Sequence, residues 1–208
     1  MKISNKIILL LIFICSILQP AVAQKLKRAE KRQAAQIINL INRASAQIKT
    51  IRCSFIQVSN VSFMDERTVS KGKMYYNAEG SLVWQYISPY KYIFSIEEGQ
   101  VMTQSGNQKK RIDVKGNALF ENITEMMMNF VSGKILSNNR DFIVDMYLKG
   151  KEWVAFLTPK RPEIRKMFKS IHLHFSPKRK MVQEVEMIQA NGDQINITLS
   201  DVNVTYRK

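Results

Sequence analysis

Residues 72 to 90 read GKMYYNAEGSLVWQYISPY, two apolar and aromatic runs joined by Asn77-Ala78-Glu79-Gly80. A short polar connection that contains Asn and Gly, between two runs rich in aromatic residues, is typical of a β-hairpin. Leu82, Trp84 and Tyr86 share one face of the second strand, because side chains alternate between the two faces. The hairpin therefore predicts a sheet with one strongly apolar face, which another part of the chain must cover.

The flanking runs extend this apolar face by the same alternation. Its expected members outside the second strand are Ile51, Cys53, Phe55, Met74, Tyr76, Tyr92, Phe94 and Ile96. Taken one at a time, such residues are most simply explained as core. The alternation alone thus leaves open whether the face encloses a packed core or a cavity.

Apolar residues recur at helical spacing in residues 30–50 and again in 119–130, where Met126, Met127 and Phe130 belong to the stripe. Gly133 is a stop signal for the second helix. Strands are predicted at 51–58, 71–77, 81–88, 90–97, 142–148, 152–159, 169–176, 181–189 and 194–204. The polar, lysine-rich residues 100–115 carry no strand prediction. This order predicts an α+β domain, a long curved antiparallel sheet with two or three helices on one face.

The first 23 residues differ from the rest of the chain. Lys2 and Lys6 precede an apolar stretch from Ile7 to Leu18, and Ala21-Val22-Ala23 follows it. A charged start, a short apolar stretch and a small-residue end predict a cleavable secretory signal. The apolar stretch is shorter than the roughly 20 residues that span a bilayer. We therefore expect export, with a single soluble domain formed by residues 24–208.

The formal net charge of the chain is +15. The basic residues are spread in small groups and form no platform interleaved with aromatic residues, so nucleic acid is not the expected partner. An exported basic protein meets anionic membrane surfaces and acidic partners, to which its charge attracts it. A merely solvated basic surface explains the charge equally well.

Residue types that carry chemistry are sparse. Cys53 alone remains after removal of the leader, so no internal disulfide is expected and a buried thiol is predicted. His172 and His174 are two residues apart and therefore share one face of a strand, but no third metal ligand accompanies them. We predict a solvent-facing pair and no metal site. Exposed positions are also predicted for the carboxylates of Asp141, Asp145, Glu184 and Glu186. No catalytic motif is found, so we expect neither an enzyme nor a cofactor.

Short motifs follow one another along the chain in a characteristic order. They are Phe55-Ile56-Gln57 after the first helix, Gly72-Lys73-Met74-Tyr75-Tyr76, Leu82-Val83-Trp84, Ser88-Pro89-Tyr90, Glu97-Glu98-Gly99 and, after Trp153, Leu157-Thr158-Pro159-Lys160. In their order and spacing they resemble the outer-membrane lipoprotein carrier family (LolA), over most of residues 30 to 200. In one departure, the Asn77 to Gly80 hairpin lacks the arginine that helps to hold the lid closed in many members.

The resemblance implies an incomplete, half-open antiparallel β-barrel that lid helices cover, with an apolar cavity inside. It implies a periplasmic carrier that receives acylated lipoproteins from an inner-membrane ABC transporter complex and delivers them to an outer-membrane acceptor. We expect such a carrier to be a monomer and to contact the membrane surface only transiently. Two alternatives stay open. One is a LolA-like accessory or sensor protein that binds another amphiphile, such as a glycolipid or lipophilic precursor, for an envelope export system. The other is a structural or adhesive envelope protein whose apolar face is an ordinary core.

The apolar face and the resemblance together select candidate acyl-chain contacts. They are Phe55, Met74, Leu82, Trp84, Phe94, Ile96, Met127 and Phe130. Residues Lys109 to Arg111 are expected at the rim, where basic side chains meet the membrane or a partner protein. No catalytic or metal-binding residue is expected.

Overall fold

The computed structural model describes residues 25–62, 67–97, 99–113, 118–137, 140–178 and 180–207, without the side chains of residues 113 and 118–123. The predicted leader, residues 1–23, lies outside this part of the chain, as do the side chains of Leu119 and Ile123 in the predicted helical stripe. Both predicted helices and all predicted strands are present within it.

The helices are α1 (Lys31–Gln47), α2 (Ala118–Ser132) and the single turn α3 (Pro162–Arg165), and a 3-10 turn (Lys134–Ser137) follows α2. The strands are β1 (Lys27–Arg28), β2 (Ile48–Asn60), β3 (Arg67–Asn77), β4 (Ser81–Ser88), β5 (Tyr92–Glu97), β6 (Gln100–Ser105), β7 (Gln108–Asp113), β8 (Phe142–Lys149), β9 (Glu152–Pro159), β10 (Phe168–Ser176), β11 (Met181–Gln189) and β12 (Gln194–Tyr206). None of the described helices is long and apolar enough to cross a bilayer.

The described strands form a 12-stranded sheet in the order β1-β8-β9-β10-β11-β12-β2-β3-β4-β5-β6-β7. Strands β2 to β7 form one antiparallel meander, and β8 to β12 form a second. The two meanders meet where β12 pairs with β2, from Gln194 opposite Asn60 to Tyr206 opposite Ile48. The sheet is open, with β1 and β7 at its edges. The predicted α+β class and incomplete barrel are confirmed.

Residues 100–113 form the β6–β7 hairpin, where the sequence pattern predicts no strand. Residues Lys109, Lys110 and Arg111 lie on the edge strand β7 and are exposed. An edge strand is half solvated and needs no apolar alternation, so its composition resembles that of a connection. Charged side chains on an edge also disfavour pairing with a second sheet.

Among the described residues, the core forms two clusters on the face of the sheet that the helices cover. Helix α1 covers the first, in which Ile37 and Ile41, one turn apart, pack against β8 to β11 and the 3-10 turn. The second lies mainly on β2 to β6, where it includes Phe55, Met74 and Leu82, and it extends to Met181 on β11 and Ile197 on β12. Helix α2 lies over the boundary, since Met126 and Phe130 contact the first cluster while Met127, Met128 and Val131 contact the second.

Gly133 fixes the end of α2 against α1. Its φ of +78° lies in the left-handed region that favours glycine. A β-carbon there would stand 3.1 Å from Ser45 Oγ and 3.4 Å from Ile41 Cγ2, both on α1. The close approach of the two helices therefore needs a residue without a side chain.

Candidate functional site

A cavity of about 390 Å³ lies beneath α2, between the helix and the concave face of the sheet. Its volume falls within the roughly 300–1,000 Å³ typical of ligand pockets. Most of its lining is aliphatic, aromatic or methionine. The lining residues are Gln57, Met74, Trp84, Tyr86, Tyr92, Phe94, Met127, Phe130, Val131, Val182, Val185, Met187, Ile195, Ile197 and Leu199.

The first meander supplies the aromatic wall. Met74, Trp84 and Phe94 lie directly opposite one another on β3, β4 and β5, so the strand register places them in one row. The Phe55 ring stacks on Trp84 at a centroid distance of 4.4 Å and meets the edge of Tyr86 at 5.3 Å. These ring contacts hold the wall in a defined shape.

The second meander supplies the aliphatic wall, which the sequence analysis did not predict. Its members are Val182, Val185 and Met187 on β11, and Ile195, Ile197 and Leu199 on β12. The alternation on β12 was a usable signal that these residues share a face. Strand β12 reaches the cavity because it pairs with β2, which places Ile197 opposite Gln57 and Leu199 opposite Phe55. This pairing joins distant parts of the chain and has no local sequence signature.

Five of the predicted contact residues lie together on the cavity wall: Met74, Trp84, Phe94, Met127 and Phe130. The other three, Phe55, Leu82 and Ile96, lie in the packed core beside it and are 1%, 0% and 2% exposed. Phe55 lies next to Trp84, and the Leu82–Ile96 pair lies one row deeper in the sheet. Whether any of the eight contacts an acyl chain stays a prediction.

The two ends of the cavity differ in how deeply their residues are buried. Tyr76, Leu82, Ile96 and Val101 share a row at the end where β3 turns into β4, and all four are buried. At the opposite end the lining reaches Tyr92, the first residue of β5, which is 37% exposed. We therefore assign the cavity mouth to the end of the sheet where β4 connects to β5.

The described lining residues carry no charge. Two of the polar side chains pair with each other, since the Tyr86 hydroxyl donates a hydrogen bond of 2.9 Å to Gln57 Oε1. Burial raises the pKa of the Tyr86 phenol, so the group stays neutral at physiological pH. Such a surface suits hydrocarbon, because it offers apolar contacts and leaves no buried polar group unpaired.

The structure corrects the predicted exposure of three polar residues. His172 stacks on Phe156 at 3.7 Å between ring centroids, with its Nδ1 2.7 Å from Glu186 Oε2. His174 is buried, with Glu152 3.5 Å away. The prediction of a solvent-facing pair is wrong, because side chains of the neighbouring strands cover this face of β10.

Asp141 is also buried, 3.5 Å from the Arg161 guanidinium, so its predicted exposure is wrong as well. Among the described residues, no three His, Cys, Asp or Glu side chains group closely enough to hold a metal ion. The prediction for Cys53 is confirmed: the thiol is free and buried, and burial raises its pKa to about 11.

Solved structures with a similar fold share little sequence with the chain. The Pseudomonas aeruginosa MucA/MucB complex is 11% identical with a TM-score of 0.48, and LprF from Mycobacterium bovis is 12% identical with a TM-score of 0.47. A LolA superfamily protein from Nitrosomonas europaea is 7% identical with a TM-score of 0.41. These matches cover 82%, 88% and 84% of this chain, and 56%, 98% and 94% of the respective relatives.

The chain thus spans 56% of the length of the chain that it matches in the MucA/MucB complex. No curated protein sequence matches it. The family model of the outer membrane lipoprotein carrier protein LolA matches residues 46–207, which is well over half of the chain. Together with the open antiparallel sheet and its helical cover, this match establishes that the chain belongs to the LolA family.

Proposed function

We propose that the chain is a periplasmic carrier that encloses the acyl chains of lipoproteins and moves them from the inner to the outer membrane. The observation that supports this most directly is the uncharged, apolar cavity beneath α2 in a member of the LolA family. An inner-membrane ABC transporter complex as donor and an outer-membrane acceptor are the partners that this function requires.

An apolar cavity lowers the free-energy cost of moving an acyl chain through water. Each acyl methylene exposed to water costs about 0.8 kcal/mol, so a long chain costs on the order of 10 kcal/mol to move unprotected. A carrier must offset most of this cost and still release its cargo, because each additional 1.4 kcal/mol or so of affinity slows release about tenfold. Methionine and aromatic walls meet both requirements, since they bury hydrocarbon without directional bonds.

The volume indicates how much cargo this conformation accepts. A cavity of about 150 Å³ holds one benzene molecule. By that ratio, the roughly 390 Å³ found here accommodates on the order of one long acyl chain. A lipoprotein with several chains needs more room, which α2 provides if Met127, Phe130 and Val131 lift from the sheet while Gly133 holds the end of the helix.

The proposal is tested by filling the cavity. Ile195 lines the wall, so Ile195→Trp should occupy the space and abolish the binding of a pyrene-labelled fatty acid. The matched control is Ile56→Trp, on the exposed outer face of the adjacent strand β2, which should bind as the parent protein does. Equal binding by both variants, each folded by circular dichroism, would show that the cavity is not the acyl site.

The nature of the cargo needs a second experiment, native mass spectrometry of protein from the periplasmic fraction. A bound lipoprotein supports the carrier function, and its loss from the outer membrane after depletion of the protein would establish transport. The cavity volume, suited to about one chain, also favours a second candidate, an accessory protein that binds another amphiphile for an export system. A bound glycolipid or lipophilic precursor in the same spectrum supports that candidate.

A further inference from the structure

The connections around the cavity mouth form one rim. Strands β2, β4 and β11 run in the same direction. Strand β12 lies between β11 and β2, strand β3 lies between β2 and β4, and each of these neighbouring pairs is antiparallel. Their C-terminal ends therefore lie at the same end of the sheet. We define the mouth rim as the described residues of the β2–β3, β4–β5 and β11–β12 connections, 61–62, 89–91 and 190–193, with the strand ends that flank them.

Large apolar side chains are exposed on this rim. Tyr90, in the β4–β5 connection, is 80% exposed, the highest value among the large apolar residues that the structure describes as exposed. Ile87, near the end of β4, and Val69, near the start of β3, are exposed as well. Four of the ten large apolar residues described as exposed, Val69, Ile87, Tyr90 and Tyr92, thus lie at the mouth end of the sheet. A partner that removes them from water there would gain free energy.

The side-chain types fit the boundary of a bilayer. A tyrosine combines an apolar ring with a polar tip and is enriched at the level of lipid headgroups. Lys91 follows Tyr90 directly, and Arg67 begins β3. Both cations are exposed, and each basic residue near an anionic membrane contributes about 1 kcal/mol of attraction.

Asp193, the acidic residue described on the mouth rim, accepts hydrogen bonds from within the protein. Asp193 Oδ1 accepts a hydrogen bond of 2.8 Å from the Ser62 backbone N–H, and Oδ2 accepts one of 2.9 Å from Asn191 Nδ2. The acidic pair Asp65 and Glu66 lies outside the described residues. The chain as a whole carries a net charge of +15, so its long-range field also attracts it to an anionic surface.

We infer that the mouth rim docks on an anionic bilayer, with Tyr90 at headgroup level and the cavity opening towards the lipid. Docking in this orientation shortens the path that an acyl chain takes through water between bilayer and cavity. Its use for cargo transfer rests on the proposed carrier function, but vesicle binding is measurable on protein without cargo.

The test compares two exposed tyrosines at opposite ends of the sheet. Tyr90 lies on the mouth rim, whereas Tyr206, 55% exposed, pairs with Ile48 at the far end. Protein from the periplasmic fraction is floated with phosphatidylcholine vesicles, with or without phosphatidylglycerol. We expect binding that depends on phosphatidylglycerol and falls with salt, a several-fold loss in Tyr90→Ser, and parental binding in Tyr206→Ser. Lys91→Gln should weaken binding about fivefold.

Circular dichroism of each variant is the control for an intact fold, and loading of the pyrene-labelled fatty acid is measured separately as the readout of the carrier function. Equal vesicle binding by Tyr90→Ser and the parent protein, or an equal loss in Tyr206→Ser, would overturn the inference. So would equal binding to vesicles with and without phosphatidylglycerol. If the parent protein fails to load the fatty acid but shows the expected vesicle binding, the carrier function fails while the docking surface stands.

Discussion

A β-carbon on Gly72 would stand only 2.4 Å from Cζ of Phe55, which lies directly opposite it across the β2–β3 pair. It would also stand 2.1 Å from the carbonyl oxygen of Gln85 on β4. The absence of a side chain lets the Phe55 ring lie over β3 and stack on Trp84, which lines the cavity. Gly72 therefore allows Phe55, in the packed core, to contact Trp84 on the aromatic wall of the cavity.

Gly72→Ala should lower the free energy of unfolding by about 1–3 kcal/mol, the usual cost of overpacking a core. The near-ultraviolet circular dichroism of the protein should also change, because the Phe55–Trp84 stack must move. Denaturant titration measures the first effect, with Ser70→Ala on the same strand as the control. Unchanged stability of Gly72→Ala would show that the contact relaxes without cost.

Leu82 and Trp84 should respond differently to truncation, although they share one strand face. Leu82 is fully buried, so Leu82→Ala should cost about 2–5 kcal/mol of stability. Trp84 lines the cavity, so Trp84→Leu should weaken binding of the pyrene-labelled fatty acid about tenfold, or about 1.4 kcal/mol. Fluorescence titration at a temperature where both variants are folded separates the effects. A larger loss of affinity in Leu82→Ala would contradict this assignment.

Cys53 should make the fold sensitive to alkaline pH. Burial raises its pKa from 9.0 to about 11, so the unfolded chain loses the thiol proton at a lower pH than the folded protein. The stability contribution is complete below pH 9 and is lost as the pH rises through about 11, with a total of about 2–3 kcal/mol. Unfolding of Cys53→Ala, compared with the parent over this range, should show a shallower decline. Parallel declines would exclude a contribution from Cys53.

Asp193 should stabilise the fold at neutral pH and lose this effect in acid. Hydrogen bonds from the Ser62 side chain and backbone hold the pKa of Asp193 below its usual 3.8. Its contribution is therefore present above pH 3.8 and is lost as the pH falls through the lower folded value. Asp193→Asn should be less stable than the parent at neutral pH, and the difference should shrink in acid. A difference independent of pH would assign the effect to geometry alone.

The secondary structure and the apolar face of β4 could be predicted because both depend on neighbours in the chain. The alternation of Leu82, Trp84 and Tyr86 and the helical stripe of α1 need no information about distant residues. The β6–β7 hairpin was missed for the same reason, since an edge strand with Lys109, Lys110 and Arg111 lacks that local signal. His174 and Asp141 were misassigned because the groups that bury them lie on other elements.

The sequence by itself determined where the two long helices and most of the strands form, which faces are apolar, and the family to which their order belongs. Only the tertiary structure decided which apolar residues enclose space and which fill it. The pairing of β12 with β2 brings Ile197 and Leu199 to the cavity, and α2 spans the gap between two core clusters. Leu82 is packed on all sides, whereas Trp84 faces the cavity. This difference depends on the volumes of side chains that are distant in sequence, so local periodicity cannot predict it.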